Sequence, residues 1–400
     1  MKLLIAIPAY NEEASITAII ERSLSARQDI IASSPVTEVE ITVVSDGSTD
    51  RTVELAKAYA DRINLIVFDE NRGYGAAIKQ AWEGSDAELL GFLDADGTCD
   101  PRFFSSLCST LEKEGADVVL GCRINEESKM PALRRVGNIF FALLLSLFSS
   151  ARVRDTASGM RVLRRSSLRK LLPLPDGLHF TPAMSARGLM RRDLKIAEID
   201  MPYHEREGKS KLRMMKDGTR FLKAIMDAVF LYRPSRPLAI LAIICLAVAV
   251  SLMVMPIIHY VQTRTVAEWM IYRFVVSGLA GISACLLLCT SYLSQKMVSI
   301  ALVRKGRPTK NDCQFYSEKF FSSSFFWLVP ITLIVLAGAL VFRSFRELII
   351  TGATYEHWSR FIVMSFLLSI ALILTVTRIL DYTLSLIAYQ LDYQKSRPPS

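Results

Sequence analysis

Two carboxylates one residue apart, Asp94 and Asp96, terminate an apolar run in the stretch LLGFLDADGTCDP. Such a run reads as a buried strand, and strands of open α/β sheets carry ligands at their C-terminal edge. Two hard oxygen donors followed by a turn at Gly97 suit a divalent cation, Mg2+ or Mn2+, that bridges the phosphates of a nucleotide. Three other stretches have the same form. Pro8, Tyr10, Asn11 and Glu12 follow KLLIAI; Tyr10 has a ring to stack on a base, and Glu12 a carboxylate to accept from ribose or base. After EITVV comes SDGSTD, where Asp46 can receive a base imide N–H, Gly47 permits a turn, and Ser48 or Thr49 can cap the next helix. NRGYGAA, from Asn71 to Ala77, is a loosely spaced Gly-rich turn into a helix that lets backbone approach a phosphate, with Asn71 and Gly75 as candidate contacts. The dinucleotide fingerprint is not met, because position 78 is Ile rather than Gly.

The elements that must position these residues follow from the pattern between them. From KLLIAIPAY to ADVVLGCR, short Val, Ile and Leu runs alternate with amphipathic stretches, including a helix expected near Arg102 to Glu114. That alternation implies parallel strands with crossover helices, an α/β layer fold of Rossmann-like type. The 400 residues are 51% hydrophobic, high for a wholly soluble chain. The excess begins at Pro237, in four apolar runs at about Pro237–Val261, Phe274–Ser294, Phe321–Phe342 and Phe361–Ala388, each long enough for a hydrocarbon core of about 30 Å. The expected organisation is an α/β domain over 1–205, amphipathic basic juxtamembrane helices over 206–236, an all-α domain of four transmembrane helices over 237–390, and a tail over 391–400.

Lys and Arg crowd the segment before the first run and the 296–319 connector, which puts both termini in the cytosol. The apolar start is only about seven residues and has no small-residue cleavage site, so a signal peptide is not expected. Seven cysteines without a CxxC pair and four scattered histidines give neither a disulfide framework nor a His/Cys metal site. A net charge of +9 with no nucleic-acid recognition module fits an anionic membrane surface rather than nucleic acid. Arg378 and Asp381, three apart in the last run, are expected to pair on one helix face.

PAYNEE, SDGSTD, NRGYG and DAD, in this order, resemble glycosyltransferase family 2, whose GT-A fold uses a DXD motif to hold a metal on a sugar nucleotide. The resemblance covers the N-terminal half. It implies a nucleotide-sugar donor, with Asp94-Ala95-Asp96 as the DXD motif facing it. The chain departs from the family at Ser45, where DDGS is common, and at Thr98, where Gln is common. Further on, MPALRRVGN sets Arg134 and Arg135 beside GNIFFALLLSLFSS, an amphipathic segment too short to span and expected to lie on the membrane or in a core. DTASGMRVLRR brings Asp155, Ser158, Gly159 and Arg161, and HEREGKSKL brings Arg206, Ser210 and Lys211. A cation-rich set of this kind can bind two phosphate groups.

These stretches resemble the polyprenyl-phosphate glycosyltransferase branch. By that resemblance Arg123 and one of Arg134 or Arg135 hold the lipid phosphate, and Arg206, Ser210 and Lys211 reach the diphosphate or the acceptor. GLHFTPAM stands where many relatives have acidic residues. The implied reaction is metal-dependent, inverting transfer of a hexose from a UDP- or GDP-sugar to a polyprenyl phosphate, with Asp94, Asp96, Arg123 and Arg206 as candidate catalytic residues. A phosphate monoester has a second pKa of about 6, so it is largely ionised at neutral pH and needs positioning more than a strong base. A processive polysaccharide synthase is the alternative enzyme, but its usual QxxRW signature is absent. A non-catalytic lipid-sugar scaffold or flippase is disfavoured by the intact carboxylates and the basic set. Whether the four spans anchor, form a homo-oligomer interface or move product is open from the sequence alone; a multi-pass protein of a bacterial inner membrane is expected.

Overall fold

Among the described residues, runs of β-branched and leucine side chains form seven strands in the first of two compact units, Met1–Tyr232. The computed structural model describes residues 1–126, 128–149, 151–191, 193–205, 211, 213–302, 313–353 and 357–395. The strands are β1 (Lys2–Ala9), β2 (Glu38–Asp46), β3 (Asn64–Phe68), β4 (Leu89–Leu93), β5 (Val118–Cys122), β6 (Met160–Arg164) and β7 (Ile196–Asp200). Helices α1 (Ile16–Ser33), α2 (Thr52–Lys57), α3 (Tyr74–Glu83), α4 (Phe104–Lys113), α5 (Ala132–Phe148), α6 (Arg165–Leu171), α7 (Phe180–Met190) and α8 (Met214–Tyr232) connect or follow them. The sheet order is β3-β2-β1-β4-β6-β5-β7. From β1 the chain runs to β2 on one side, while β4 pairs on the other, so a crevice opens outside the ends of these parallel strands.

Side-chain alternation along β1 builds both cores. Leu3, Ile5 and Ile7 pack with Ile19 and Leu107 from α1 and α4, whereas Leu4 and Ala6 pack with Trp82, Phe92 and Phe180 on the α3 and α7 face. The five expected strands, β1 to β5, run parallel to one another, and the sheet is mixed because β6, which the apolar pattern does not mark, runs antiparallel to both β4 and β5. In the sequence MRVLR reads as a basic stretch, but Arg161 is fully buried within the strand. Its guanidinium donates to Thr156 O at 2.8 Å, Ser158 O at 3.1 Å and Ser185 Oγ at 2.9 Å. Burial lowers its pKa to about 10, which still leaves it charged at neutral pH.

Helix α5 is two-faced. Asn138, Ala142 and Leu145 are buried, while Leu133, Val136, Phe140, Leu143 and Leu147 form an exposed apolar stripe at helical spacing.

The second unit is helical: α9 (Ser235–Thr263), α10 (Ile271–Ala301), α11 (Cys313–Ser322), α12 (Leu328–Thr351) and α13 (Trp358–Lys395). Four segments among the described residues are long and apolar enough to cross a membrane: Ser235–Thr263, Glu268–Ala301, Phe325–Thr351 and Trp358–Leu391. The protein is an integral membrane protein with a four-helix transmembrane part. Three spans outrun the expected apolar runs at both ends, because polar flanks continue the helical hydrogen bonding, whereas the third begins at Phe325 rather than Phe321, since α11 ends at Ser322, and runs on to Thr351.

Candidate active site

The DXD loop is fixed from three sides. Gly97 has φ +74°, a left-handed conformation that lets the chain turn directly after Asp96. Arg22, on α1, donates to Gly97 O at 3.1 Å and Cys99 O at 3.2 Å. Thr98, the residue that departs from the family, steadies the carboxylate beside it, since its N–H and hydroxyl donate to Asp96 Oδ1 at 3.2 and 2.6 Å. Asp94 is held by residues outside its loop. The Tyr74 hydroxyl, at the start of α3, donates to Asp94 Oδ1 at 2.6 Å. Burial first, and then the Asp94 charge, raise the Tyr74 pKa well above its ordinary value, so the phenol stays a donor. Gly159 lies directly against Asp94, since a Cβ there would overlap the carboxyl group.

Among the described residues no group of three or more His, Cys, Asp or Glu is arranged to hold a metal. Within the DXD loop the carboxylates are those of Asp94 and Asp96. That donor set fits Mg2+ or Mn2+, which binds through one or two carboxylates plus substrate phosphates and water rather than in an all-protein cage.

The loops after β1, β2 and β3 are clasped together by the residues expected to meet the nucleotide. Asn11 sits at φ +51°, and its Oδ1 accepts from Thr49 N at 2.7 Å. The Asn11 and Glu12 N–H groups donate to Ser48 Oγ and Thr52 Oγ1 at 3.1 and 2.8 Å. Buried Asp46 accepts from Arg72 N at 2.7 Å and Gly73 N at 2.9 Å, and Asn71 Nδ2 donates to Asp46 O at 3.2 Å. Asp46 thus organises the Gly-rich turn, a role not evident from the base contact expected of it. Gly75 is placed differently from expectation. It does not line the cavity described below; its N–H donates to Asp176 O at 2.5 Å, and a Cβ would meet Phe180 Cδ2 at 2.7 Å. Its missing side chain serves helix packing.

A cavity of about 550 Å³ joins these loops to the basic residues downstream. Pro8, Tyr10, Glu12, Asp46, Asn71, Asp94, Ala95 and Asp96 line it, as do Arg123, Arg134 and Lys211. Arg135 does not, and is exposed. Arg206 and Ser210 lie outside the described residues. Arg220, within the basic juxtamembrane stretch expected over 206–236, lines the cavity with Phe141 and Phe221 and pairs with Asp217 at 3.4 Å. Lys211 sits at the nucleotide loops: its ammonium donates to Tyr10 O, to Asn11 O at 2.8 Å and to Glu12 Oε1 at 2.7 Å.

Arg123 is the residue whose surroundings differ most from expectation. It is buried, with Nε and one terminal nitrogen on Asp155 at 2.7 and 2.9 Å and its guanidinium 5.4 Å from the Tyr203 ring. Asp155 also accepts from Arg123 N at 3.0 Å, Ala157 N at 3.1 Å and Asn138 Nδ2 at 2.6 Å. Burial pushes the Asp155 carboxyl up, but Arg123 and these donors outweigh it and hold the pKa below the usual range. Asp155 and Asn138 thus tie β5, α5 and the turn before β6 together. Tyr74 and Asn138 carried no signal in the sequence, because their partners lie far along the chain.

A family model described as glycosyl transferase family 2 matches residues 4–172. A dolichyl-phosphate hexose transferase of Haloferax volcanii is 33% identical over 233 residues, 56% of this chain and 92% of that protein. The chain belongs to glycosyl transferase family 2. A low-salt glycan biosynthesis hexosyltransferase of the same organism is 31% identical over 62% of this chain, which spans 60% of that relative's length. Among solved structures, glucosyl-3-phosphoglycerate synthase from Mycobacterium tuberculosis, in complex with Mn2+, UDP and glucosyl-3-phosphoglycerate, is similar at 20% identity and a TM-score of 0.47, covering 57% of this chain and 80% of that one. As a family 2 member the protein is a glycosyltransferase, and the matched span contains every strand-end motif together with the Arg123–Asp155 pair.

Proposed function

We propose that this glycosyltransferase moves a hexose from a nucleotide sugar to the phosphate of a polyprenyl lipid, with inversion, on the cytosolic side of a membrane. The observation that carries this reading is the composition of one cavity: strand-end carboxylates of a nucleotide-sugar site share it with Arg134, Arg220 and the apolar side chains Leu133, Phe141 and Phe221. A phosphate with an isoprenoid tail needs that combination of cation and apolar wall. The exposed apolar stripe of α5 begins beside Arg134, where a lipid-borne acceptor would arrive. The Haloferax relative is named for dolichyl phosphate, which supports the same acceptor class. The Lys and Arg excess around the spans supports a cytosolic first unit.

When bound at Asp96 with Asp94, Mg2+ or Mn2+ would neutralise the departing nucleoside diphosphate. The chain's own residues do the rest. Tyr74 and Gly159 fix the Asp94 carboxylate, and Thr98 fixes that of Asp96. Arg134 and Arg220 hold the acceptor phosphate by charge-assisted hydrogen bonds. A phosphate oxygen attacks the anomeric carbon opposite the leaving group, the new C–O bond forms, and the old one breaks with its electron pair on the diphosphate. Orientation of an ionised nucleophile replaces general-base catalysis.

The test is incubation of the purified full-length protein with UDP- and GDP-sugars in turn, decaprenyl phosphate and Mg2+ or Mn2+, followed by mass analysis of the lipid fraction. One sugar added per lipid phosphate, lost in Asp96→Asn, is the expected result. Polymer product, or no lipid-linked sugar with any donor, would overturn the reading.

A further inference from the structure

In the second unit three charged side chains meet between α10 and α13. Asp381 is almost fully buried. Its Oδ1 accepts from the Tyr292 hydroxyl at 2.6 Å and pairs with the Lys296 ammonium, while Oδ2 accepts from an Arg378 terminal nitrogen at 2.9 Å. Lys296 also donates to Asp381 O at 3.1 Å and to Ser385 Oγ at 2.7 Å, so its three N–H groups are all engaged. Arg378 engages only one of the five N–H groups of a guanidinium, and the others have no partner among the described residues. Its side chain is 19% exposed, against 13% for Lys296. Asp381 therefore pairs directly with two cations, Glu318 of α11 acts on Tyr292 from beyond hydrogen-bond range, and the less satisfied cation is the one with an open edge.

The depth of this cluster is set by helix geometry. At about 1.5 Å per residue, Lys296 and Arg378 stand roughly 30 to 38 Å from Ile271 and Trp358, the first residues of their helices. Trp269, Tyr272 and Trp358 mark an interfacial aromatic belt at that end, so a hydrocarbon core of about 30 Å ends close to the cluster. A guanidinium with most of its N–H groups open at this boundary is costly unless an anion meets it. The anions present at that depth are lipid phosphates, which match the planar fork of Arg.

We propose that Arg378, oriented by Asp381 and reinforced by Lys296, binds the phosphate of a membrane lipid at the headgroup level of the transmembrane unit. None of these residues belongs to the cavity of the first unit. The chemistry is shared by polyprenyl phosphates and by anionic phospholipids.

The experiment uses the full chain carrying Arg134→Gln, which weakens phosphate binding in the cavity, as the parent. Lipid retention by native mass spectrometry and thermal unfolding are measured with decaprenyl phosphate, phosphatidylglycerol, and uncharged decaprenol and diacylglycerol. The expected result is retention and a raised unfolding midpoint with a phosphate lipid only, and a loss of affinity of about tenfold or more in Arg378→Gln. Stabilisation by both phosphate lipids identifies phospholipid as a source; stabilisation by decaprenyl phosphate alone identifies the isoprenoid. Arg378→Gln leaves the Lys296–Asp381 pair intact, and unfolding in lipid-free detergent reports its fold. Arg378→Lys, which keeps the charge and loses the fork, is the second variant and is expected to lose affinity as well. Equal stabilisation by the uncharged lipids, or unchanged retention in both variants, overturns the proposal.

Discussion

One methyl group at Gly159 measures how tightly the first carboxylate of the DXD motif must be held. A Cβ there would stand 2.7 Å from Asp94 Oδ1 and closer still to the other two carboxyl atoms. The Gly159 backbone is not in the left-handed region, so Gly159→Ala introduces a collision and no torsional strain. Asp94 has a short side chain and must swing by about 1 Å, away from the Tyr74 hydroxyl it meets at 2.6 Å. A displacement of about 1 Å at a reacting centre costs about 100-fold in rate, or about 2.7 kcal/mol. The hydrogen bond it breaks, to a charged acceptor, is worth about 1.5–3 kcal/mol, which is the same size. The assay is transfer of labelled sugar to decaprenyl phosphate across a Mn2+ titration. Gly159→Ala should lower kcat/KM about 100-fold and raise the Mn2+ requirement. Tyr74→Phe should cost about tenfold. The double variant should be no worse than Gly159→Ala alone, because the shared hydrogen bond is already gone. Wild-type kinetics in Gly159→Ala, or a double variant whose losses simply add, would refute the coupling.

Asp155→Asn leaves the Arg123 guanidinium buried without its counter-charge and should destabilise the first unit by about 3–5 kcal/mol, read by denaturant unfolding; adding Arg123→Met should recover part of that loss. Because the folded Asp155 pKa lies below its ordinary value, its stabilisation is complete above about pH 4 and is lost as pH falls through the folded value. Acid unfolding of Asp155→Asn should be correspondingly shallower than wild type. Thr98→Val removes the hydroxyl that holds Asp96 at 2.6 Å and should weaken Mn2+ binding about tenfold with little change in unfolding midpoint. Burial pushes the Cys99, Cys108 and Cys122 thiols up to about 12, so peptide mapping after iodoacetamide at pH 8 should find all three unlabelled until the protein is denatured.

What could be read from the sequence depended on whether a residue acts on its near neighbours in the chain. β1, β2 and β4 are continuous apolar runs ending in polar residues, so both the strands and the ligand edge were legible. The four membrane helices followed from length and apolarity alone. β6 was not legible, because a charged residue in a five-residue strand looks like surface until the acceptors of Arg161 are known. The pairing of Arg123 is not legible for a related reason: its partner Asp155 is distant in sequence, and charge alone does not reveal whether a cation has a counter-charge. Thr98, which stands where the family commonly has Gln, fixes the Asp96 carboxylate from two residues away, a contact that the departure alone does not reveal.

The same sorting of cations by their partners predicts the pH dependence of the reaction. Arg123 is neutralised by Asp155, Arg161 is enclosed by neutral oxygens yet stays charged, and Lys211 sits on Glu12. Arg134 lines the cavity, as does Arg220 with a contact to Asp217 at 3.4 Å, and these are the guanidiniums proposed for the acceptor phosphate. Guanidinium does not titrate in the working range. Tyr74 is held protonated well past its ordinary value, so it adds no loss of activity near neutrality either. The acceptor itself does titrate in that range, with a second phosphate pKa of about 6. With decaprenyl phosphate subsaturating, kcat/KM should therefore fall with unit slope below about pH 6 and stay flat through about pH 8 to 9. Replacing exposed His204, which joins the DXD loop through its backbone N–H to Thr98 O at 2.9 Å, with Gln should leave that limb in place. A limb that moves or vanishes in His204→Gln would mean that a side-chain base, and not the ionisation of the lipid phosphate, sets the rate.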